Sequence, residues 1–397
     1  MKIKIKTPLW TGDIDSRSDM LQSTGIIGSL RWWTEVIIRG IGKFACDPSG
    51  DERCPKDKEY CPVCLVYGAT GIRRLFRLKI SGGEKVFNGG TINIRPNNRN
   101  RGWYLGSGLI GELDLQVIQL DRNYDENLVL IPLSIAANWG GLGAKTQHGY
   151  GVVEFENKGE LKFENFQNVL NKILEEERLK NLSIKERNET NNTLPDLKEI
   201  FFAKVQFEVD NNDWWREIDG IRQALNPRDR HGNIDQGMQR RNEEILGAWY
   251  TSNSLPIASA IKNWLRYQDG VRLWKTNNRN RDGEIENWLF GTIRNNKSAS
   301  KINISCAYEI GSTTWEFRIW GWIPIKENPD GFNRENFLTA LKERLNGIMP
   351  WTQLLGHKTK NHKLIDWREF NSPRDTVNKE KDIHNYLQSL LEHKGGT

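Results

Sequence analysis

The sequence predicts an α+β protein built from two related halves, each with the element order of a ferredoxin-like domain. Three observations predict this fold. Strand-like and helix-like patterns alternate along the chain, a strongly charged segment divides it near the middle, and landmarks of the first half recur in the second. At 397 residues the chain exceeds a single domain of roughly 100–200 residues, so two domains are expected.

The first half contains two passes of strand, helix and strand. Lys and Ile alternate over residues 2–6, which indicates a half-buried strand, and residues 26–39 repeat apolar side chains at helical spacing. A second helix is expected at 130–138 and a last strand at 152–156, with strand-like runs between the helices at 75–80, 91–94 and 113–120. Two such passes suit a ferredoxin-like domain, whose helices cover one face of an antiparallel sheet and leave the other face free.

The domain boundary is expected where the composition turns strongly charged, just before a new alternating strand at residues 200–207. We therefore predict an N-terminal domain at 1–157, a charged helical linker at 158–197 and a C-terminal domain at 198–397. The last of these ends in an amphipathic helix over residues 376–391, which is expected to dock on its own domain.

Internal similarity supports a duplication, because three landmarks recur in the same order. Each match alone is faint, but all three are collinear. The matching pairs are 28–33 with 259–264, 65–68 with 288–291, and 142–146 with 355–359.

Charge distribution favours RNA as a partner more than total charge does. The net charge of +6 is too small to identify a polyanion binder. Basic residues nevertheless concentrate at 73–77, 95–101 and 272–281, where Asn and aromatic residues accompany them. Such mixtures suit single-stranded RNA, whose phosphates take the charge and whose bases stack on rings. No apolar run is long enough to span a membrane, so a cytoplasmic protein without a membrane partner is expected.

The glycine-rich segment at residues 140–151 is the strongest candidate for a phosphate contact. Its five glycines permit unusual backbone angles and close approach to a ligand, while Lys145 adds charge and Thr146 adds a hydroxyl. The pattern is neither a P-loop nor a dinucleotide fingerprint, so nucleotide hydrolysis has no support. The alternative is a tightly turned connection that binds nothing.

Four cysteines form a possible structural zinc site at Cys46, Cys54, Cys61 and Cys64. The last two form a Cys-x-x-Cys turn, in which two sulfurs can reach one tetrahedral metal. Free thiols, or a disulfide formed on oxidation, are the competing interpretations. A metal closed by four cysteines would have no open position for catalysis.

Several of these motifs together resemble the RAMP superfamily, and most closely its members that are the first RAMP subunit of type III-B (Cmr) CRISPR effectors. The resemblance rests on residues 7–12, 25–33 and 61–68 and on the glycine-rich segment. It implies two RRM-like RAMP domains without nuclease activity. It also implies a non-catalytic subunit of a ribonucleoprotein, which contacts other subunits. This subunit would bind guide and target RNA near the 3′ end of the guide.

Candidate RNA contacts follow from the glycine-rich segment, the matched helices and loops, and one basic stretch. A second hypothesis is a metal-independent endoribonuclease that uses His148 or His357, and a third is a pure protein scaffold. Two interpretations of Trp32 remain: its ring covers a loop, or it stacks on an RNA base. The expected RNA contacts are Arg31, Trp32, Arg73, Arg74, Arg77, Gly140, Gly141, Gly143, Lys145, Thr146, His148, Gly149, Tyr150, Gly151, Lys262 and Lys358.

Overall fold

The fold is described from a computed structural model. The described residues are 1–13, 18–51, 53–56, 59–88, 90–122, 124–155, 159–175, 183–184, 194–268, 274, 276, 278–293 and 297–392. Part of the expected basic stretch at 272–281 lies outside them.

The first half is a four-stranded antiparallel sheet with two long helices on one face. The strand order is β3-β6-β1-β7, which is the order of a ferredoxin-like sheet. Its elements are β1 (Lys2–Leu9), α1 (Ser23–Gly40), β2 (Glu59–Tyr60), α2 (Pro62–Tyr67), β3 (Phe76–Lys85), β4 (Thr91–Ile94), β5 (Trp103–Gly106), β6 (Leu109–Gln119), α3 (Asn127–Trp139) and β7 (Val153–Phe155).

The second half repeats this arrangement, with β12-β13-β9-β14 in the corresponding order and β10 and β11 added. The charged segment before it begins with a helix whose apolar side chains join the first core. The elements are α4 (Phe163–Leu174), β8 (Ser183–Ile184), β9 (Ile200–Val209), α5 (Ile221–Ala224), α6 (Gln236–Thr251), β10 (Ser254–Leu255), α7 (Ala258–Asn263), α8 (Arg279–Phe290), β11 (Ile302–Ile304), β12 (Ala307–Glu309), β13 (Thr314–Trp322), α9 (Arg334–Glu343), α10 (Trp351–Leu355), β14 (Thr359–Glu369) and α11 (Ile383–Glu392).

The α+β class with ferredoxin-like halves is thus confirmed, and the three repeated landmarks occupy matching positions. Residues 28–33 lie in α1 and 259–264 in and just after α7, each within the first crossover of its half. Residues 65–68 and 288–291 span the ends of the helices that follow, α2 and α8. The glycine-rich segment and residues 355–359 both lead into the last strand of a half.

The two halves stack as sheet, helices, sheet and helices. Phe202 of β9 packs on Trp33 of α1 and on Trp139 of α3, so the helices of the first half cover the second sheet. Arg318 of β13 reinforces this contact by donating from Nη1 to the Ala137 carbonyl at 2.6 Å. The expectation of a free sheet face is therefore wrong for the second half. In the first half, Lys2 and Lys4 are exposed on the outer face.

Each half also sends a segment into the core of the other. The hairpin of β4 and β5, which we call the arm, buries Ile92, Ile94 and Leu105 in the second core. In return, α11 buries Tyr386 and its neighbours against α3 and α4 in the first core. The expectation that this last helix docks on its own domain is wrong, because its apolar face is covered by the first half.

Candidate nucleic-acid interface

The glycines of segment 140–151 allow the chain to pass close to itself. A Cβ added at Gly140 would lie 2.2 Å from Cζ2 of Trp33, a contact no side chain could make. At Gly149 the φ angle is +101°, and an added Cβ would lie 2.6 Å from the amide nitrogen of Cys306 in the second half. Side chains at these positions would push the two halves and the helix layer apart.

The same packing corrects the expectation of an open phosphate cradle. Gly140, Gly141, Gly149 and Gly151 are buried or half-buried, and the amide of Gly151 donates to the Pro8 carbonyl at 2.9 Å. Gly143 is half-buried, and its missing Cβ would lie 2.5 Å from the Trp10 carbonyl. These five glycines shape the segment and do not line a ligand site.

Tyr150 is likewise a core residue. Its side chain is buried, its ring packs edge-on against Trp10 and Trp249, and its hydroxyl donates to the Gly106 carbonyl at 2.6 Å. Burial raises the pKa of this hydroxyl. The expectation that Tyr150 contacts RNA is wrong, because a base cannot reach its ring.

The turn at residues 144–148 is the part of the segment that solvent reaches. Lys145 lies in the left-handed region with φ +57°, and its Nζ lies 3.2 Å from the centroid of the Trp10 ring. Thr146 donates from Oγ1 to Asn303 Oδ1 at 3.1 Å, which ties the turn to β11. His148 packs edge-on against Trp103 of the arm at 5.0 Å between ring centroids. All three predicted residues therefore come together where the halves meet.

Helix α7 adds Lys262 to this turn. Only 6% of Lys262 is exposed, and its Nζ lies 5.7 Å from the centroid of the same Trp103 ring. Within the described part of the chain, Lys262 has no hydrogen-bond acceptor and no ion-pair partner. We call Lys145, His148, Lys262 and Trp103 the cleft cluster.

The protonation states in the cleft cluster depend on burial and on neighbouring positive charge. Burial, helped by Arg266, lowers the pKa of Lys262 to about 7. Burial, helped by Lys262 and Lys145, lowers the pKa of His148 to about 4, so this ring is neutral at pH 7. The pKa of Lys145 is also lowered by burial. Burial is the largest cause of each shift, no carboxylate opposes it, and a bound anion would do so.

The RNA contacts expected from the sequence did not include Trp103 or Trp10. Trp103 directly follows the basic stretch 95–101, so an aromatic residue beside clustered Arg and Asn was the available signal. In the same stretch, the Arg99 guanidinium lies 3.7 Å from the centroid of the Tyr267 ring, and 43% of Tyr267 is exposed. The loop of the arm thus places a cation on an exposed ring of the segment that follows α7.

Arg31 is half-buried, and its guanidinium is held by groups of the first half. Its guanidinium donates from Nε to Glu35 Oε1 at 2.9 Å, from Nη1 to the Gly68 carbonyl at 3.2 Å, and from Nη2 to Cys64 Sγ at 3.1 Å. Burial alone would lower its pKa, but the Cys64 sulfur and Glu35 more than offset burial, and the pKa is raised. All three guanidinium nitrogens of Arg31 already donate within the fold, which argues against the expectation that Arg31 contacts RNA phosphate.

Trp32 is half-buried and packs edge-on against Trp33 at 4.9 Å between ring centroids. One side of Trp32 lines a cavity of about 300 Å³ between α1, residues 47–48 and residues 194–195. This cavity lies beside the cysteines, and Trp32 is not part of the cleft cluster.

The remaining predicted contacts are scattered. Arg73 and Arg77 are exposed near the start of β3, and Arg74 is half-buried beside them. Lys358 lies in residues 355–359, the counterpart of the glycine-rich segment, which we call the second loop. Its Nζ is 2.8 Å from Asp213 Oδ1 and 3.8 Å from Glu217 Oε1. Two carboxylates already lie beside the Lys358 amine, which argues against the prediction of Lys358 as an RNA contact.

The four predicted metal ligands meet in one cluster. The sulfurs of Cys46, Cys54, Cys61 and Cys64 all lie within 4.8 Å of one another, and all four residues are buried. Cys46 Sγ lies 3.6 Å from Cys64 Sγ and 3.7 Å from Cys61 Sγ. A tetrahedral zinc with bonds of about 2.3 Å requires sulfurs roughly 3.8 Å apart, so the cluster could hold such a metal.

Neighbouring donors suit thiolate ligands. The Cys61 amide donates to Cys54 Sγ at 3.2 Å, and Arg31 donates to Cys64 Sγ. Arg39 holds the loop that carries Cys46 by donating from Nε to the Ala45 carbonyl and from Nη2 to the Cys46 carbonyl. Hydrogen bonds and cations around the sulfurs offset the negative charge that four thiolates leave on a divalent metal.

Comparison with known proteins finds a family match for the N-terminal part. A model of the RAMP superfamily matches residues 2–154, whereas no curated protein matches the chain. Among solved structures, Cmr1 from Pyrococcus furiosus in its apo form is 14% identical with a TM-score of 0.35, covering 86% of this chain and 95% of that one. A chain from the type III-B Cmr-beta complex bound to cognate target RNA is 11% identical with a TM-score of 0.36, covering 86% of this chain and 97% of that one.

A second Cmr-beta structure, bound to cognate target RNA and AMPPnP, gives 12% identity and a TM-score of 0.35, again covering 86% of this chain and 97% of the other. Within the described residues, no helix is both long enough and apolar enough to cross a membrane.

Proposed function

We propose that the chain, whose residues 2–154 match a model of the RAMP superfamily, is a non-catalytic RNA-binding subunit of a type III-B CRISPR ribonucleoprotein. In this role it holds the backbone of guide or target RNA near the 3′ end of the guide, beside other subunits of the effector. The sequence motifs that resemble the first RAMP subunit of such complexes support the assignment.

The observation that carries RNA binding is the unpaired charge of the cleft cluster. Lys262 is almost fully buried without an acidic partner in the described chain, beside Lys145 and the ring of Trp103. An isolated buried ammonium is costly, so proteins normally pair it with a carboxylate. A phosphodiester would supply that pairing, and aromatic rings beside cations are typical of single-stranded RNA sites.

Exposed cations extend the proposed RNA path along the arm. Arg95 and Arg101 are exposed on the loop between β4 and β5, and 68% of Tyr104 is exposed beside them. We also retain Arg73 and Arg77 as proposed contacts because their side chains are exposed and can reach a phosphate.

A retention assay tests this function. Labelled single-stranded RNA is titrated with the wild-type chain, Lys145→Ala and Lys262→Met at several salt concentrations. Each lost phosphate contact should lower the slope of log affinity against log salt by about 0.7. Lys358→Ala is the matched control, since this lysine is already paired with acids. Equal affinity and slope in all four proteins would contradict RNA binding at the cleft cluster.

The neutral ring of His148 favours one alternative, a metal-independent endoribonuclease. A neutral imidazole can accept a proton from a 2′-hydroxyl, and Lys262 could stabilise the charge that develops on the phosphate. Incubation of labelled RNA in chelator separates the two functions. Retention without cleavage supports a binding subunit, whereas specific cuts that disappear in His148→Ala support the nuclease.

We also propose that the four-cysteine cluster holds one structural zinc ion. Zinc would join the loop at Cys46 to the start of α2 and supply no reactive position, because four sulfurs fill its coordination shell. Metal analysis of the purified chain should find about one zinc per molecule. Protein that is free of metal and keeps its unfolding temperature in strong chelator would contradict this proposal.

A further inference from the structure

Lys262 lies on a helix face whose other polar groups also lack partners. Ser259, Lys262 and Asn263 are spaced three and four residues apart, so they share one face of α7. Ser259 Oγ and Asn263 Nδ2 are buried without a hydrogen bond in the described chain. Lys262 lies between them in the sequence, is 6% exposed and forms no ion pair with a described residue. We call these three residues the α7 face.

Buried donors without partners are uncommon, because each loses its hydrogen bonds to water and gains none. Here two of them occur within two turns of one helix, beside the unpaired amine of Lys262. Helix α7 packs against both the turn at residues 146–148 and β11. A cation, an amide and a hydroxyl on one face match the oxygens of a phosphodiester. The α7 face therefore has the composition of a phosphate site.

The titratable groups around Lys262 are almost all positively charged or neutral. Arg266 follows it on the same segment and is already paired with Glu286 at 2.9 Å. The turn contributes Lys145 and neutral His148, whereas the arm contributes the uncharged Trp103. Among the described residues, none of these elements brings a carboxylate into an ion pair with Lys262.

We propose that the α7 face binds one phosphodiester of the RNA, and that Lys262 takes up a proton from solvent as it does so. This inference rests on the proposed function. In the free protein at slightly alkaline pH, the amine of Lys262 is largely neutral. When the phosphodiester arrives, the amine gains a proton from water or buffer and becomes an ammonium ion. The phosphodiester keeps its single negative charge throughout.

Proton uptake makes RNA binding depend on pH. The pKa of Lys262 in the free protein is about 7, lowered by burial and by Arg266. Below that pH the amine is already charged, so affinity should be constant. Above it, each pH unit should weaken binding up to about tenfold until the pH exceeds the pKa of the bound state. Affinity at pH 8 should therefore be about tenfold lower than at pH 6.

Calorimetry on the full chain measures this directly. A single-stranded RNA oligonucleotide is titrated into wild-type protein at pH 7.5 in buffers of different ionisation enthalpy. The dependence of the observed heat on the buffer should reveal uptake of a fraction of one proton. Lys262→Met should remove the uptake and the pH dependence, leaving weaker binding at every pH. His148→Gln should keep the uptake, because the His148 ring is neutral throughout this range.

The outcomes separate the two proposals. Wild-type binding with no proton uptake and constant affinity from pH 6 to pH 8 would overturn the inference and leave the proposed function intact. Uptake that persists in Lys262→Met would also overturn it, by assigning the proton to another group. No RNA binding at any pH would overturn the proposed function, and this inference with it.

Discussion

Helices α1 and α7 contain matching sequence landmarks and lie in the first crossover of their halves, but their matched cations have opposite environments. Arg31 of α1 is held by Glu35, Gly68 and Cys64, and its pKa is raised. Lys262 of α7 has no such partners in the described chain, and its pKa is lowered. One position of the repeat thus supports the fold in the first half and is left available in the second.

The difference originates in the segment on the C-terminal side of each helix. After α1, the chain brings a cluster of four sulfurs and α2 against the guanidinium. After α7, residues 264–268 continue as a π-helical turn whose Arg266 adds another positive charge. A duplicated cation therefore acquires its role from its neighbours, and substitutions in the two halves should differ in both the size and the sign of their effects.

Loss of a cysteine should have the largest effect. Cys64→Ser removes a proposed zinc ligand and the sulfur that accepts from Arg31, so we expect loss of the metal and destabilisation on the order of 5 kcal/mol. Metal analysis measures the loss of zinc, and thermal unfolding measures the loss of stability. The control is Cys306→Ala, a buried cysteine outside the cluster, which should keep the metal. Unchanged zinc content in Cys64→Ser would argue against the four-cysteine site.

Arg31→Ala should destabilise the first half. The change leaves the Glu35 carboxylate buried with only Arg39 nearby, at 3.7 Å, and we expect a loss of about 3 kcal/mol. Denaturant unfolding measures this free energy. The variant should retain the salt dependence of RNA binding, because Arg31 does not reach the cleft. A stable variant with a reduced salt slope would reverse the assignment.

Lys262→Met should stabilise the protein, whereas Arg31→Ala should destabilise it. The folded-state pKa of Lys262 is about 7 and its usual value is 10.5, so between these pH values the unfolded chain binds more protons and stability rises with pH. The cost of burying the charge is therefore largest below pH 7. Replacing Lys262 by Met should stabilise the protein by about 2 kcal/mol at pH 6.

At pH 9 the benefit should be smaller, because the lysine is then mostly neutral in the folded protein. Unfolding curves at the two pH values provide the comparison. If Lys262→Met were less stable than wild type at pH 6, the amine would have a stabilising partner and the proposed anion site would be lost.

Lys358→Ala should have the smallest effect. The side chain is an exposed partner of Asp213, and exposed ion pairs contribute little to stability. We expect an unchanged unfolding temperature and RNA affinity within about twofold of wild type. A marked loss of affinity would show that the second loop contacts RNA despite its acidic neighbours.

Much of the fold could be predicted because its signals are local. Alternation at residues 2–6 indicates β1, and the duplication indicates equivalent halves. The exchange of segments was not predictable, since the apolar residues of the arm and of α11 would fit either core equally well. Which core they enter depends on contacts between residues far apart in sequence, such as Trp139 Nε1 donating to the Leu390 carbonyl.

Prediction of the candidate site from the sequence was limited in the same way. Residue type and repeat position were sufficient to propose Lys145, His148 and Lys262, which the fold brings together around Trp103. The glycines were misinterpreted because their need for space comes from Trp33 and Cys306, which are distant in sequence. Charge type alone also could not distinguish Arg31, which has local partners, from Lys262, which has none in the described chain.

The salt dependence of RNA affinity at pH 6 tests the contrast between the helices most directly. Wild type, Lys262→Met and Arg31→Lys are compared under identical conditions, at a pH where Lys262 is charged in the free protein. We predict that Lys262→Met lowers the slope by about 0.7 and that Arg31→Lys leaves it unchanged. An unchanged slope in Lys262→Met together with a reduced one in Arg31→Lys would contradict the account.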